Sequence, residues 1–290
     1  STAMMNEKAY PSAITSYDLL KAVAIILMII DHLGAFVFID ESWMRAVGRL
    51  SAPIWLFLIG FARSRDLDMR LWIGMGVLIL VDMLIGYTIL PINILGSFLL
   101  IRMIIDKVMS FYQHNAGAKC LVWLCVIFLA LPSKVVFEYG VHGFMFAGLG
   151  YLVRAQHEKV QAAALAGRKL IRFDNGLILN ALGVAIVFAV MQILSFSFGD
   201  EQKIFVLASL PILAVCLIGF QPATYEGVSQ KMSALLVWLI QLCGRRTLEI
   251  YVIHIAVLRV YAAAVSRGDV EWFHLRLTTD AIWEDIVKFL

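Results

Sequence analysis

Ionisable residues stand at both ends of the first apolar segment of this sequence. Asp18 and Lys21 lie at its start, nine apolar residues follow, and Asp31 and His32 lie near its end. At about 100° per residue, the side chains of Asp18, Lys21 and His32 fall on one stripe of a helix, and Asp31 points about a quarter turn away. Apolar membrane helices reject ionisable groups unless chemistry, transport or a partner requires them. The stripe therefore predicts one wall of an internal cavity.

His32 is the residue of this stripe that is best suited to proton transfer. Imidazole has an ordinary pKa of about 6.5, so at neutral pH it can take a proton from an amine or a hydroxyl and return it. A neighbouring carboxylate would orient the ring and stabilise its protonated form. We therefore predict that His32 is a general base, with Asp31 or Asp18 as its partner.

Later apolar segments also contain ionisable residues, and each pair allows a structural interpretation. Arg102 and Asp106 are four residues apart, which predicts an ion pair within one helix. Glu138 and His142 are also one helical turn apart, among glycines that suit either close helix packing or the approach of a ligand. His254 lies on the last apolar segment, where a lone histidine is commonly a buried group with a satisfied hydrogen bond.

The composition is that of an integral membrane protein. Of the 290 residues 61% are hydrophobic and only 16% are charged, and the mean hydropathy is +0.86, whereas soluble domains have about 25% charged residues. The formal charge of +3 is spread over short loops, which argues against a nucleic-acid partner. The four cysteines lack the spacing of metal ligands, so we predict no metal. No glycine-rich phosphate loop or Gly-x-Ser-x-Gly motif is present.

Apolar segments of spanning length recur along the chain. A membrane helix needs about 20 residues, or fewer where it bends or faces a water-filled cavity. We predict an all-α, polytopic helical bundle of about nine or ten transmembrane helices, formed by a single domain over residues 5–290, with apolar faces toward lipid. Residues 1–4 are interpreted as a cloning remnant. The predicted spans are 17–38, 48–62, 71–89, 92–109, 120–131, 135–153, 177–196, 204–220 and 247–265, and segment 233–244 is either a half-helix or an interfacial helix.

Positive charge predicts the orientation of these spans. Arginines cluster at 63–70, and basic residues cluster again at 154–172, so the positive-inside rule places both loops and the N-terminus in the cytoplasm. This orientation puts His32, Arg45 and Arg49 toward the outer side. A thioester donor such as an acyl-CoA would need positive charge at the cytoplasmic mouth. Arg45, Arg49, Arg245 and Arg246 are the candidates, provided that a cavity crosses much of the bilayer.

Two blocks that contain these residues resemble the TraX family. The first comprises YDLLK at 17–21, IIDHLG at 29–34, WMRAVGRLSAPI at 43–54 and FLI at 57–59, and the second is RTLEIYVIH at 246–254. Together they cover about a quarter of the chain. The second block is also similar to motifs of a wider membrane acyltransferase superfamily, which includes acyltransferase family three and the heparan glucosaminide acetyltransferases.

The resemblance implies a multi-helix acetyltransferase of the bacterial inner membrane, which takes acetyl from cytoplasmic acetyl-CoA to an acceptor at or beyond the membrane. The TraX family is associated with N-terminal acetylation of conjugative pilin. The implied acceptor is therefore the N-terminal amine of pilin or another exported polypeptide, with a glycan hydroxyl as the alternative. The resemblance also implies that His32 is catalytic, and that Arg49 and the block from Arg246 through Tyr251 to His254 line the cavity.

Two functions from other classes remain open in the sequence. A proton-coupled transporter would use the same histidines and carboxylates as a proton relay, although the inverted repeats typical of transporters are not visible. A structural membrane subunit is disfavoured by the number of ionisable residues within the apolar segments.

Overall fold

The computed structural model describes residues 11–265 and Phe273, and within these residues the chain forms helices and no strand. The helices are α1 (Ser16–Phe36), α2 (Ser42–Gly48), α3 (Ser51–Phe61), α4 (Met69–Leu84), α5 (Ile94–Tyr112), α6 (Ala116–Leu129), α7 (Gly140–Leu165), α8 (Asn175–Ser195), α9 (Asp200–Ile218), α10 (Glu226–Lys231), α11 (Ala234–Arg245) and α12 (Thr247–Val265). A short 3-10 turn at Pro132–Val135 precedes α7.

Within the described residues, five segments are long and apolar enough to cross a membrane, which confirms the predicted all-α membrane bundle. They are α1, the joined α2 and α3, α8, α9 and α12. The segment 233–244, which was predicted to be either a half-helix or an interfacial helix, forms α11, whose 12 residues extend over about 18 Å. This length is too short to cross the roughly 30 Å hydrocarbon core of a bilayer.

The second predicted span differs from the helix pair that the structure forms. Helix α2 begins at Ser42, six residues before the predicted start, and the helix is interrupted at Arg49 and Leu50 before α3 begins. Pro53 follows in the first turn of α3, where its missing N–H leaves no intrahelical hydrogen bond unmade. The interruption points the Arg49 side chain toward α1.

Helices α3 and α7 form the closest contact of the bundle interior. A Cβ atom at Gly60 would lie 1.7 Å from the carbonyl oxygen of Ala147, and one at Gly150 would lie 2.1 Å from the carbonyl oxygen of Phe57. Only glycine allows the two backbones to approach this closely. Close helix packing, one of the two interpretations of the glycines in α7, therefore holds at Gly150.

The bundle has two ends, and we name them by their charge. At the basic end, Arg154 donates to the carbonyl oxygen of Ala62, and Arg172 donates to that of Gly219 at 2.8 Å. The start of α1 and the junction of α11 with α12 also lie at the basic end, where Arg245 binds Asp18. The opposite end contains residues 37–41, 85–93, 130–139 and 196–199.

The start of α1 is bound by a segment that lies more than 200 residues later in the chain. The Ser16 N–H donates to the carbonyl oxygen of Ala223 at 2.9 Å, and the Tyr225 N–H donates to the carbonyl oxygen of Ile14 at 2.8 Å. The Ala223 N–H also donates to the Ser16 hydroxyl at 3.0 Å. These bonds fix the position of α1 relative to the loop between α9 and α10.

A pair of loops closes the opposite end of the bundle beside α5 and α7. The Ile92 N–H donates to the carbonyl oxygen of Val136 at 2.8 Å, and the Glu138 N–H donates to the carbonyl oxygen of Ile92 at 3.0 Å. Helix α7 begins only at Gly140. The expectation that Glu138 and His142 share a helical turn is therefore wrong, because Glu138 belongs to the loop that precedes the helix.

The predicted ion pair between Arg102 and Asp106 is also wrong. Asp106 instead accepts hydrogen bonds from Arg65 at 3.1 and 3.2 Å. Arg102 donates to the backbone carbonyl oxygen of Asp66 at 2.7 Å. Arg65 binds both carboxylate oxygens of Asp106 through two of its nitrogens. Such a bidentate contact is stronger than a single ion pair between Arg102 and Asp106 within one helix would be.

Candidate functional site

A cavity of about 510 Å³ lies inside the bundle and joins its two ends. Lys21 lines it at the basic end, and His32 lines it eleven residues further along α1, about 16 Å away at 1.5 Å per residue. The charged and phenolic residues of its wall are Tyr17, Lys21, Asp66, Asp68, Arg70, Arg102, Arg245 and Glu249 toward the basic end, and Asp31, His32, Glu138, Tyr139 and Tyr251 toward the opposite end. A molecule that enters at the basic end therefore has a path to His32.

The partner of His32 is a second histidine. His32 Nδ1 lies 2.7 Å from Nε2 of His254, and Nδ1 of His254 lies 2.6 Å from the carbonyl oxygen of Ile250. The two rings are tilted by 31°, with their centroids 5.0 Å apart. Tyr251 packs beside both histidines, with centroid distances of 6.2 Å to His32 and 5.9 Å to His254.

These two hydrogen bonds determine where the protons of the neutral pair lie. A carbonyl oxygen only accepts, so Nδ1 of His254 must carry a proton for its bond to Ile250. Nε2 of neutral His254 is then an acceptor, and Nδ1 of His32 must donate to it. Nε2 of neutral His32 is left without a proton. Because His32 lines the cavity, the pair presents a base to a molecule bound there.

Asp31 binds two arginines rather than His32, so the expected pairing of His32 with Asp31 is wrong. Arg45 Nη1 lies 2.9 Å from Asp31 Oδ1, and Arg49 Nη2 forms a second ion pair with Oδ2. Arg45 Nη1 also donates to the Asp31 carbonyl oxygen at 2.9 Å. Asp31 is buried at 5% exposure, and a buried carboxylate needs such partners.

Arg45 and Arg49 lie at the opposite end of the bundle and do not line the cavity, so the structure contradicts their expected contact with donor phosphates at the cytoplasmic mouth. Their guanidinium carbons lie 5.0 and 4.5 Å from the centroid of the Phe196 ring, and Arg49 Nη1 approaches Gln192 Oε1 at 3.5 Å. Arg49 is 6% exposed. Both positive charges are directed at Asp31 and at an aromatic face, and away from solvent.

Asp18 has a structural role at the basic end, and its expected role as a partner of His32 is wrong. It stands fourteen residues before His32, about 21 Å along the helix. The Asp18 carboxylate accepts from the Thr15 N–H at 3.0 Å, and the Thr15 hydroxyl accepts from the Asp18 N–H at 3.1 Å. This capping box begins α1. Arg245 holds both oxygens of the same carboxylate, at 3.2 and 3.3 Å.

The positively charged residues that line the cavity at the basic end, which we call its mouth, are mostly not the ones expected from the sequence. Of the four arginines proposed from the sequence, only Arg245 lines the cavity. Arg246 points outward, with its side chain 66% exposed and 3.3 Å from Glu249. Lys21, Arg70 and Arg102 occupy the mouth instead. Among the residues that the structure describes, Lys21 makes no hydrogen bond or ion pair.

The last block of the sequence divides into two parts. Tyr251 lines the cavity as expected, whereas His254 lies behind His32 and supports it. Sequence reasoning missed this contact because the two histidines are 222 residues apart. It also missed Glu138 and Tyr139 as cavity residues.

The ion pair of Asp82 with Arg259, at 2.6 Å, joins α4 to α12 near the opposite end.

No metal-binding group was found in the part of the chain that the structure describes. No three His, Cys, Asp or Glu side chains there lie close enough together to hold a metal ion. The pairs His32 with His254 and Asp31 with Arg49 are directed at each other instead. The wall of the cavity thus offers proton transfer, charge and hydrogen bonds as its means of acting on a bound molecule.

Comparison with known proteins identifies the family. The TraX protein family model matches residues 16–262. The uncharacterized protein RP591 of Rickettsia prowazekii (strain Madrid E) is 28% identical over 265 residues, which cover 89% of this chain and 97% of that protein. A protein TraX of Escherichia coli is 26% identical over 218 residues, 68% of this chain and 86% of its own length. No solved structure matches the chain. The family model spans α1 through most of α12, and the chain therefore belongs to the TraX family.

Proposed function

We propose that this protein is an acetyltransferase of the bacterial inner membrane, with its N-terminus in the cytoplasm. Its donor is cytoplasmic acetyl-CoA, and its acetyl acceptor is the N-terminal amine of pilin or of another exported polypeptide. A glycan hydroxyl is the second choice of acceptor for the same chemistry. The observation that carries the proposal is the cavity that begins among cations at the basic end and reaches the unprotonated Nε2 of His32.

The charge at the mouth suits the nucleotide part of the donor. Lys21, Arg70 and Arg102 line the cavity there together with Arg245, and phosphates bind such cations through charge-assisted hydrogen bonds. The positive-inside rule assigns the basic end to the cytoplasm, where acetyl-CoA is available. With its phosphates at the mouth, the thioester would extend along α1 toward His32.

The proposed reaction at His32 transfers one proton and one acetyl group. The nitrogen of the acetyl acceptor attacks the thioester carbonyl carbon while Nε2 of His32 takes a proton from that nitrogen. The carbon–sulfur bond then breaks, and the CoA thiolate receives the proton from His32. The products are the acetylated amine and CoA with a free thiol, and His32 returns to its neutral form.

His254 is a positioning residue in this scheme. It holds Nδ1 of His32 at 2.7 Å, which fixes the ring and leaves Nε2 directed into the cavity. When Nε2 takes a proton, the bond from Nδ1 to His254 becomes charge-assisted and therefore stronger. His254 thus takes the role that a carboxylate has in a Ser-His-Asp triad.

The proposed function is tested with purified protein in detergent and acetyl-CoA that is labelled in its acetyl group. We expect labelled product and free CoA with a peptide amine acceptor, without any ion gradient. His32→Ala and His32→Gln would lower turnover by at least about 100-fold while the unfolding temperature stays close to that of the wild type. Full turnover of a folded His32→Ala protein would remove His32 from the mechanism. Uptake that needs sealed vesicles and a gradient would favour a transporter.

The role of His254 is tested by separating binding from chemistry. His254→Ala is expected to lower kcat about 10-fold to 100-fold with little change in the KM for acetyl-CoA. His254→Gln would recover part of this loss, because its amide oxygen can still accept a hydrogen bond from Nδ1 of His32. If both variants raised the KM for acetyl-CoA and left kcat unchanged, His254 would be a donor contact instead.

A further inference from the structure

Glu138 presents a carboxylate to the cavity without an ion-pair partner of its own. Its Oε2 accepts from the Ile94 N–H at 3.0 Å. In residues 11–265, its Oε1 makes no hydrogen bond, and neither oxygen lies within an ion pair. Glu138 is one of the residues that line the cavity. The Ile92 carbonyl oxygen holds the Glu138 backbone N–H at 3.0 Å, so the position of this carboxylate is fixed.

Glu138 lies on the His32 side of the cavity. Tyr251 lines the same part of the cavity, and its ring centroid is 6.2 Å from that of His32. Charged and titratable groups from four other elements and from its own loop interact electrostatically with Glu138. They are Asp31 on α1, Arg45 and Arg49 at α2, Asp82 on α4, Tyr139 before α7, and Tyr251 and Arg259 on α12.

The two ion-paired groups nearest to Glu138 are balanced in charge only when Glu138 is ionised. Asp31 is shared by Arg45 and Arg49, and Asp82 is paired with Arg259. These five groups together carry one excess positive charge, which Glu138 offsets. Without that carboxylate the site would repel a cationic group, and with it the site accepts one, because charges in a poorly solvated interior interact strongly.

An amine acceptor requires two proton acceptors, whereas a hydroxyl requires one. An α-amino group has an ordinary pKa of about 7.7–8.0, so at neutral pH it arrives mostly as an ammonium. It must lose one proton to become a nucleophile and a second during attack on the thioester. His32 takes only the second. Two carboxylates line the cavity on the same side, and Asp31 is held by Arg45 and Arg49, so Glu138 is the one that can take the first proton.

We propose, building on the function proposed above, that Glu138 binds the ammonium group of the acetyl acceptor and takes its first proton. The ammonium gives this proton to Oε1 of Glu138 and becomes a neutral amine. The amine nitrogen then attacks the thioester, His32 takes the second proton and returns it to the CoA thiolate, and Glu138 releases the first proton to water. One amide and one thiol form, one thioester is consumed, and one proton is released. Glu138 thereby selects amines over hydroxyls.

The test compares Glu138→Gln with wild type and with Glu201→Gln, which changes an exposed carboxylate at the start of α9. Glutamine keeps an oxygen for the Ile94 N–H and loses the charge. A short peptide with a free N-terminal amine serves as acetyl acceptor between pH 6 and 9. At about pH 6.5, E138Q is expected to lose about 100-fold in kcat/KM for the peptide. This loss shrinks toward pH 9, where the peptide arrives as free amine.

A second acceptor separates this role from a structural one. Methoxyamine is uncharged at neutral pH, so E138Q is expected to acetylate it at the wild-type rate and with the wild-type KM for acetyl-CoA. The control Glu201→Gln would match the wild type with both acceptors. Equal turnover of the peptide by E138Q and wild type at every pH would overturn the assignment, and so would an equal loss with peptide and methoxyamine.

The outcomes also separate this inference from the proposed function. A wild-type protein that acetylates neither acceptor refutes the acetyltransferase and the role of Glu138 together. A wild-type protein that acetylates the peptide, together with an E138Q variant that does so with the same pH profile, refutes only the role of Glu138. If E138Q loses peptide acetylation at low pH but acetylates methoxyamine at the wild-type rate, the result supports both the acetyltransferase function and the role of Glu138.

Discussion

The two ends of the bundle contain the same kinds of side chain but use them differently. At the opposite end, Arg45 and Arg49 are held against Asp31 and Phe196. At the basic end, Lys21 faces the cavity without a hydrogen-bond or ion-pair partner among the described residues. A cation that the protein already neutralises stabilises the fold, whereas one that it leaves unneutralised can bind an anion. Pairing, and not residue type, separates Lys21 from Arg45 and Arg49, whereas Arg70 and Arg245 at the basic end are paired with Glu249 and Asp18.

Removal of Arg49 is expected to have the largest effect on stability. Arg49→Ala leaves a buried carboxylate with one partner fewer, and breaking a buried pair in this way costs about 3–5 kcal/mol in the free energy of unfolding. Thermal unfolding in detergent and the yield of folded protein measure the loss. Arg246→Ala is the control, because that side chain is 66% exposed. Equal unfolding temperatures for the two variants would contradict a structural role for Arg49.

Gly48→Ala tests the same network through its geometry. A Cβ atom at Gly48 would lie 2.2 Å from Cβ of Asp31, so α1 and α2 would have to separate. We expect a loss of about 1–3 kcal/mol in unfolding free energy, as for overpacked cores. Gly76→Ala is the matched control, since no atom lies within 4 Å of the added Cβ. That change would be neutral or stabilising by up to about 1 kcal/mol. An unchanged free energy of unfolding in Gly48→Ala would show that α1 and α2 can separate without loss of the ion pairs of Asp31.

Lys21→Ala examines the basic end, where a change in binding and not in stability is expected. Loss of one phosphate contact would raise the KM for acetyl-CoA about 10-fold, or about 1.4 kcal/mol, with the unfolding temperature unchanged. Lys21→Arg would keep most of the affinity. Lys159, an exposed lysine outside the cavity, provides the control substitution to alanine. An unchanged KM in Lys21→Ala would place the nucleotide elsewhere.

Arg246→Ala is expected to have the smallest effect of the series. Its exposed ion pair with Glu249 contributes at most about 1 kcal/mol, and its side chain lies outside the cavity wall. We expect less than about a twofold change in the KM for acetyl-CoA. Kinetic measurements beside Lys21→Ala test this ranking. A larger effect from Arg246 than from Lys21 would reverse the assignment of the mouth cations.

The helices could be predicted from the sequence, because hydropathy and helix-terminal residues act locally. The first span was expected at 17–38 and forms α1 at Ser16–Phe36, where a Thr15 cap begins the helix. The second span was less well predicted. Its break at Arg49 depends on the contact with Asp31, and the local sequence gives no sign of that contact.

Side-chain partners could not be predicted from spacing alone. His32 with His254 and Asp18 with Arg245 are 222 and 227 residues apart, so only the packing of α1 against α11 and α12 brings them together. The spacing of four residues also predicted the wrong partner for Asp106. Its carboxylate binds Arg65, which lies on a different segment, and not Arg102 on the same helix. His32 stood out in the sequence because its ionisable neighbours lay on the same helix, whereas Glu138 lay in a loop whose register the sequence did not define.

The hydrogen bonds that hold the start of α1 have a consequence for biosynthesis. Ser16 is bound to Ala223, and His32 is bound to His254, so α1 receives these partners from segments that are synthesised more than 200 residues later. Contacts between such distant segments form only after the intervening chain has been made. A chain that stops before α12 has His32 without its hydrogen-bond partner, and the order of synthesis thus delays assembly of the histidine pair until α12 has been made.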